Sequence, residues 1–317
     1  MFKRGVKIAL LLLWLFMMGW WWYESRYFPA PEKVEAAFLP DYLDHYRLTY
    51  GEQPIGWAYK SMRRLPEIGY QGGEGLTIQV RLGGEDLEIK STVVANFDRV
   101  MNLLDFQYMV QAGPLTVIER GLIKEDGRLE LTVNLGRYED LYAALLRDYG
   151  DLLGGYAGQL DFSRPVTLDP PLGPGLRNFI PSYLSYLGLM KGSSYSLTTV
   201  DPVSRRLQPT NVRVEEEGRE LDLELGRDMP AFRVRLSDAA PDSQLWVDRY
   251  GRTVREEGLG FKLTRVDEEY KAKADVTPFT PPKSFERLLN NDKLRELIDR
   301  AGERAAQSSP TAGQDEE

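Results

Sequence analysis

One histidine and no cysteine among 317 residues leave few routes to chemistry. Without cysteine there is no disulfide, thiolate nucleophile, iron–sulfur cluster, cysteine-bound zinc or lipidated N-terminal Cys. A serine–histidine arrangement would have to use His45. Ser193 and Ser194 follow Gly192, but no G-x-S-x-G elbow is present. His45 reads as a surface residue at the mouth of the first strand. Two carboxylates can act without histidine, as in glycosidases, yet Glu215-Glu216-Glu217 reads as a charged turn beside Gly218. The oxygen-ligand spacing of a calcium loop is absent. The glycines at 69–75 and 173–175 lack the spacing of a phosphate loop and read as turns. No catalytic residue, metal ligand or cofactor site is therefore expected, and a carboxylate- or metal-dependent hydrolase ranks last among the functional readings.

Charge narrows the partners. With 40 Lys+Arg against 48 Asp+Glu the formal net charge is −8, and a nucleic-acid footprint needs clustered bases. Beyond Lys3-Arg4 at the N-terminus, Arg63-Arg64 and Arg205-Arg206 stand together, and both read as solvated turn pairs. Nucleic acid is excluded as a partner.

The most informative segment is N-terminal. Ile8 to Tyr23 carries no charge and, at about 1.5 Å per residue, covers roughly 24 Å, so Gly5 and Val6 must help to complete a span with Lys7 snorkelling. Trp20, Trp21, Trp22 and Tyr23 form an aromatic belt suited to a membrane–water boundary. Lys3, Arg4 and Lys7 precede the span, so the positive-inside rule puts the N-terminus in the cytoplasm and the rest outside. Small residues of a cleavage site do not follow the run; the nearest pair is Val34 with Ala36. The expectation is an uncleaved signal anchor over 1–23 in a bacterial inner membrane, with the bulk of the chain periplasmic or extracellular.

Residues 24–43 form a Pro-containing spacer. From 44 to 277 the apolar residues recur at period two: Tyr46, Leu48, Tyr50; Ile55, Trp57, Tyr59; Leu76, Ile78, Val80; Phe106, Tyr108, Val110; Leu129, Leu131, Val133, Leu135. Tight Gly turns separate them, which implies an antiparallel meander. A second strand-rich block carries Val212 and Val214, Leu221 to Leu225, Phe232 to Leu236, Leu245 to Val247 and Phe261 to Leu263. Tyr138 to Tyr149 reads as a helix. The Pro/Gly-rich stretch within 150–190 is an internal boundary or a strap across a sheet. Ser284 caps a C-terminal helix, 278–301, with Phe285, Leu288, Leu289, Leu297 and Ile298 in one stripe, and 302–317 is an acidic tail read as disordered. The fold class expected is mainly β (α+β): a membrane helix, then a large curved antiparallel sheet with a few covering helices.

Two stretches resemble a known family. Tyr46-x-Leu-x-Tyr-Gly-x-x-x-Ile-Gly56-Trp57 is similar to the opening hairpin of the LolA/LolB-type lipoprotein carriers, and Trp246-Val-Asp-x-x-Gly251-Arg-x-x-Arg255-Glu256 resembles a late hairpin of related envelope proteins. The resemblance implies an incomplete barrel over about residues 44–267 whose concave face accepts acyl chains. The anchor and the absent lipidated Cys depart from those carriers and argue against a diffusing shuttle. Trp57, Tyr59, Phe106, Tyr108 and Trp246 are the expected concave-face residues for a hydrophobic or lipid-like ligand. The alternative is a scaffold subunit that contacts an envelope partner through helix 284–301.

Overall fold

The computed structural model describes residues 39–82, 85–113, 115–135, 165–201, 205–222, 227–237, 243–258 and 260–280. The expected anchor, the helix over 138–149, the C-terminal helix and the tail lie outside these residues. Among the described residues no helix is long and apolar enough to cross a membrane.

Among the described residues fourteen antiparallel strands form a single sheet. They are β1 (Tyr42–Tyr50), β2 (Gln53–Leu65), β3 (Gly69–Leu82), β4 (Glu85–Phe97), β5 (Leu103–Ala112), β6 (Leu115–Ile123), β7 (Leu129–Asn134), β8 (Val166–Leu168), β9 (Ser194–Asp201), β10 (Arg206–Asp222), β11 (Arg227–Ser237), β12 (Ser243–Val247), β13 (Thr253–Gly258) and β14 (Phe261–Val266). Their order is β8 to β1, then β14 to β9. Two meanders thus join where β1 meets β14, with Leu48 opposite Leu263. Both meanders therefore belong to one sheet.

Packing reveals the curvature. Leu129 and Leu131 on β7 share one buried cluster with Val200 on β9 and with Met62, Tyr70, Phe97 and Phe106. Strands near opposite ends of the order can meet a common core only if the sheet curls. It does not close into a barrel; a strap lies along β9 instead. Thr198 donates its N–H to the Leu172 carbonyl at 3.1 Å, and Val200 to the Gly175 carbonyl at 2.7 Å.

The strap then turns inward through a 3₁₀ turn, Arg177–Phe179, into helix α1 (Ile180–Leu187). Pro181 at the helix start gives up an N–H that has no intrahelical partner there. Ile180 and Leu184 pack on Val212, Val234, Leu245 and Val247, while the Phe179 ring meets Phe97 edge-on at 5.1 Å. Phe179 is accommodated by Gly72, where a Cβ would stand 2.3 Å from its ring. At the other end of the interior, Phe279 closes the sheet against Tyr50 and Phe261, with centroids 4.7 and 6.2 Å away. A short helix, α2 (Glu269–Lys273), lies on the opposite, outer face of β1, where Arg47 donates to the Lys271 carbonyl at 2.6 Å.

Several local expectations change. The glycines from Gly69 to Gly75 lie inside β3 rather than in a turn, because aromatic rings lie over Gly72 and Gly75. Glu215 to Glu217 belong to β10, at a bulge between Val214 and Glu216, and Leu221 continues that same strand. Arg205 is buried instead of solvated.

Candidate functional site

Alternation assigns each strand two faces. On β1, Tyr42, Asp44, Tyr46 and Leu48 point inward, and Leu43, His45 and Arg47 outward. On β2 the inward set is Ala58, Lys60 and Met62.

A belt of charge crosses the middle of the interior. Along the order β3, β2, β1, β14, β13 it reads Glu74, Lys60, Asp44, Arg265, Glu256, so the sign alternates at every strand. Lys60 stands directly opposite Glu74 on one side and Asp44 on the other. The Lys60 ammonium lies 3.1 Å from Glu256 and 3.7 Å from Glu74. Arg265 is 3.9 Å from Asp44 and 3.7 Å from Asp248, and Arg252 reaches Asp248 at 2.9 Å and Asp44 at 3.7 Å. Tyr46, buried beside them, donates to the Thr253 carbonyl at 2.9 Å.

Burial and pairing compete in this belt. Desolvation alone would push the Lys60 ammonium down, but Glu74 and Glu256 outweigh it and hold it above its usual range. Burial raises Glu74 against the pull of Lys60. Desolvation also lifts the Tyr42 phenol to about 12, although its bond to Ser182 on α1 opposes that. Every member has a charged neighbour within 4 Å, which is how buried charge is tolerated.

A second buried carboxylate stands apart. Glu119 on β6 faces inward opposite Tyr108, and its Oε1 has no hydrogen-bond partner. Burial raises its pKa to about 8, with Arg205 opposing and Asp201 adding. Arg205 and Asp201 belong to the β9–β10 end of the sheet, so this interaction crosses the opening between the two meanders.

A cleft of about 540 Å³ lies on β9–β11, lined by Tyr195, Asn211 and Arg235, and the outer face of β1–β4 carries two adjoining ones. One cleft of about 520 Å³ is lined by Leu43, Tyr59, Ser61, Arg63, Gln71 and Val94. A second, of about 450 Å³, is lined by Leu43, His45, Trp57, Tyr59, Thr77 and Thr92. They share Leu43 and Tyr59 and so form one trough across four strands. Leu43 is 60% exposed. Gln71 donates to Asn96 at 3.1 Å, and Asn96 donates to Asp105 at 2.9 Å, a fixed amide ladder running from β3 to β5.

The expected ligand residues therefore separate. Phe106 and Tyr108 face the interior, where Phe106 is buried over Gly121. Trp57 and Tyr59 lie on the outer face in the trough. Trp246 is outer as well, packed with Ala231 and Val254 and capped by the Arg255 guanidinium 3.8 Å from its ring centroid. Trp57 and Tyr59 are brought together in the trough, and Phe106 and Tyr108 in the core. His45 lines the second cleft near Glu269, as a surface residue without a hydrogen bond among the described residues. No group of three potential metal ligands occurs among the described residues. The belt was missed in the sequence, although Lys60 and Glu74 sit in phase with buried apolar neighbours.

No family model and no curated protein matches the sequence. Among solved structures the chain is similar to a β-barrel-like protein of domain of unknown function DUF1849 from Brucella abortus. The identity is 12%, over 72% of this chain and 95% of that one, with a TM-score of 0.48. It is also similar to a DUF1089 family protein from Pseudomonas aeruginosa, at 13% identity over 64% of this chain and 90% of the other, with a TM-score of 0.36. Both are named for domains of unknown function, and neither for the lipoprotein carriers that the hairpin motifs resemble.

Proposed function

We propose that this chain is a non-catalytic binding protein of a bacterial envelope. Residues 1–23 hold it in the inner membrane, and the outer trough of β1–β4 engages an extended ligand. One observation carries this reading: two clefts meet at Leu43 and Tyr59 on a face that the core does not use. Phe179, Ile180, Leu184 and the charge belt occupy the concave side, so the expected ligand site moves from inside to outside. The clefts fall within the usual size of ligand pockets, roughly 300–1,000 Å³.

A photo-crosslinking residue at Leu43, with Tyr250 as an exposed control away from the trough, tests this in cells. Adducts at position 43 that exceed those at 250 are expected, and mass spectrometry identifies them. Protein adducts would transfer the trough to the scaffold reading. Equal, background-level labelling at both positions overturns the binding role.

A further inference from the structure

Resting on the trough as the binding site, we propose that its ligand is a neutral glycan chain, with a sugar ring stacked on Tyr59. The ring geometry comes first. A Cβ at Gly75 would lie 2.2 Å from Tyr59 Cε1 and 2.8 Å from Cζ. The phenol ring therefore lies over the β3 backbone at Gly75, where the two clefts meet. Gly73 continues the low floor beside it, with Ser61 Oγ in the place a side chain would take. Trp57 stands two residues away on the same face, about 7 Å along the strand. The Trp57 ring carries the Lys273 ammonium 5.5 Å from its centroid, so the Tyr59 ring is the surface offered to the C–H face of a sugar.

The walls supply the second half. Ser61 and Gln71 border the first cleft, and Thr77 and Thr92 the second. These hydroxyl and amide groups both donate and accept, as sugar hydroxyls do. The ladder from Gln71 through Asn96 to Asp105 holds the Gln71 amide in one orientation. Charges are balanced in each cleft: Asp41 with Arg63 in the first, Lys90 with Glu269 in the second. A phosphate-bearing ligand would need an excess of bases, which neither cleft has. An acyl chain would lie half in water, because hydroxyls interrupt the apolar contacts of Leu43 and Val94.

Calorimetric titration of the full-length chain in lipid nanodiscs with cellohexaose, maltohexaose and the N-acetylglucosamine hexamer tests the proposal. At least one should bind with Kd of roughly 0.01–1 mM. Tyr59→Ala should weaken it about tenfold, close to 1.4 kcal/mol, while Tyr59→Phe retains it. Gly75→Leu, which fills the space under the ring, should act like Tyr59→Ala with the circular dichroism spectrum unchanged. If none of the three binds, the glycan is refuted. A fluorescent dodecanoate probe separates the two readings: Tyr59-dependent uptake of it without glycan binding keeps the trough and removes the glycan. No response of any probe to Tyr59→Ala removes both.

Discussion

Lys60→Met cuts the charge belt at its centre. The ammonium is 9% exposed, and its carboxylate partners Glu74 and Glu256 are 17% and 31% exposed. Removing one member of a buried pair leaves the other charge without compensation and costs about 3–5 kcal/mol. Glu256 can turn toward water, so Glu74 carries most of that cost. The same change should depend on pH. Burial already raises Glu74 above 4.5, and without Lys60 it must rise further. At about pH 8.5 the variant buries a lone carboxylate. Toward acid pH that carboxylate takes up a proton more readily in the folded state than in the unfolded chain, and the loss shrinks. Urea unfolding at alkaline and at acid pH, followed by tryptophan fluorescence, measures the difference. Lys60→Met/Glu74→Leu should regain most of the stability, because replacing a buried pair with apolar groups is close to neutral. The exposed pair Arg81–Asp86 sets the baseline, since such pairs contribute roughly 0–1 kcal/mol. A loss from Lys60→Met no larger than that from Arg81→Ala, or a double variant as weak as the single, refutes the reasoning.

Glu119→Gln should change the pH profile in the other direction. With a folded pKa of about 8 against an ordinary 4.5, the native state binds the proton more tightly, so wild-type stability falls as pH rises between those values. The variant escapes that loss and gains on wild type by the order of 3 kcal/mol above pH 8; parallel urea profiles would contradict this. Phe179→Ala should destabilise by about 3–5 kcal/mol, and Gly72→Ala by about 1–3 kcal/mol, because a new Cβ at 2.3 Å from the ring cannot be relieved while Phe97 backs it. Melting temperatures unchanged in both variants would show that α1 does not pack in the core. Alkaline extraction of membranes should leave the full chain in the pellet and release one lacking residues 1–23; a full chain in the supernatant refutes the anchor.

How far the sequence could be read depended on phase. Clean alternation placed Leu76 to Val80 on β3 and Leu129 to Val133 on β7, because those runs contain no bulge. It failed on β2. The ladder there shifts between Leu48 and Thr49, which opposes Pro54 to Thr49 and leaves Ile55 as the extra residue. Ile55 is buried, but beyond the bulge the inward residues are Ala58, Lys60 and Met62 rather than Trp57 and Tyr59. Trp246 has the same difficulty. Its neighbours Leu245 and Val247 face α1, and a bulge beside it places Val254 and Arg255 on its own outer side. A bulge has no composition signature strong enough to be located in one sequence. Pairing of β1 with β14 was equally hidden, since nothing local marks two strands far apart in the chain as neighbours. The late hairpin motif was more telling than its grammar suggested. Asp248 accepts from the N–H groups of Tyr250 and Arg252 and grips the Arg252 side chain. Gly251 leaves room for α1, where a Cβ would meet Ser182 Cα at 2.8 Å.

The belt also bears on why this long sheet has one register. A one-residue slip of β2 would bring Tyr59 inside and carry Lys60 out, leaving Glu74 buried without its cation. Apolar patterning alone resists that slip. It resists a two-residue slip far less, because such a slip keeps every inward residue inward. The charges supply what is missing: shifted by two, Lys60 would face Gly72 or Leu76 on β3 and Tyr42 or Tyr46 on β1, and both flanking carboxylates would lose their direct partner. The row Glu74, Lys60, Asp44 therefore fixes β2 against β3 and β1. The apolar clusters at either end of the interior contribute most of the stability, and the belt restricts that stability to one alignment.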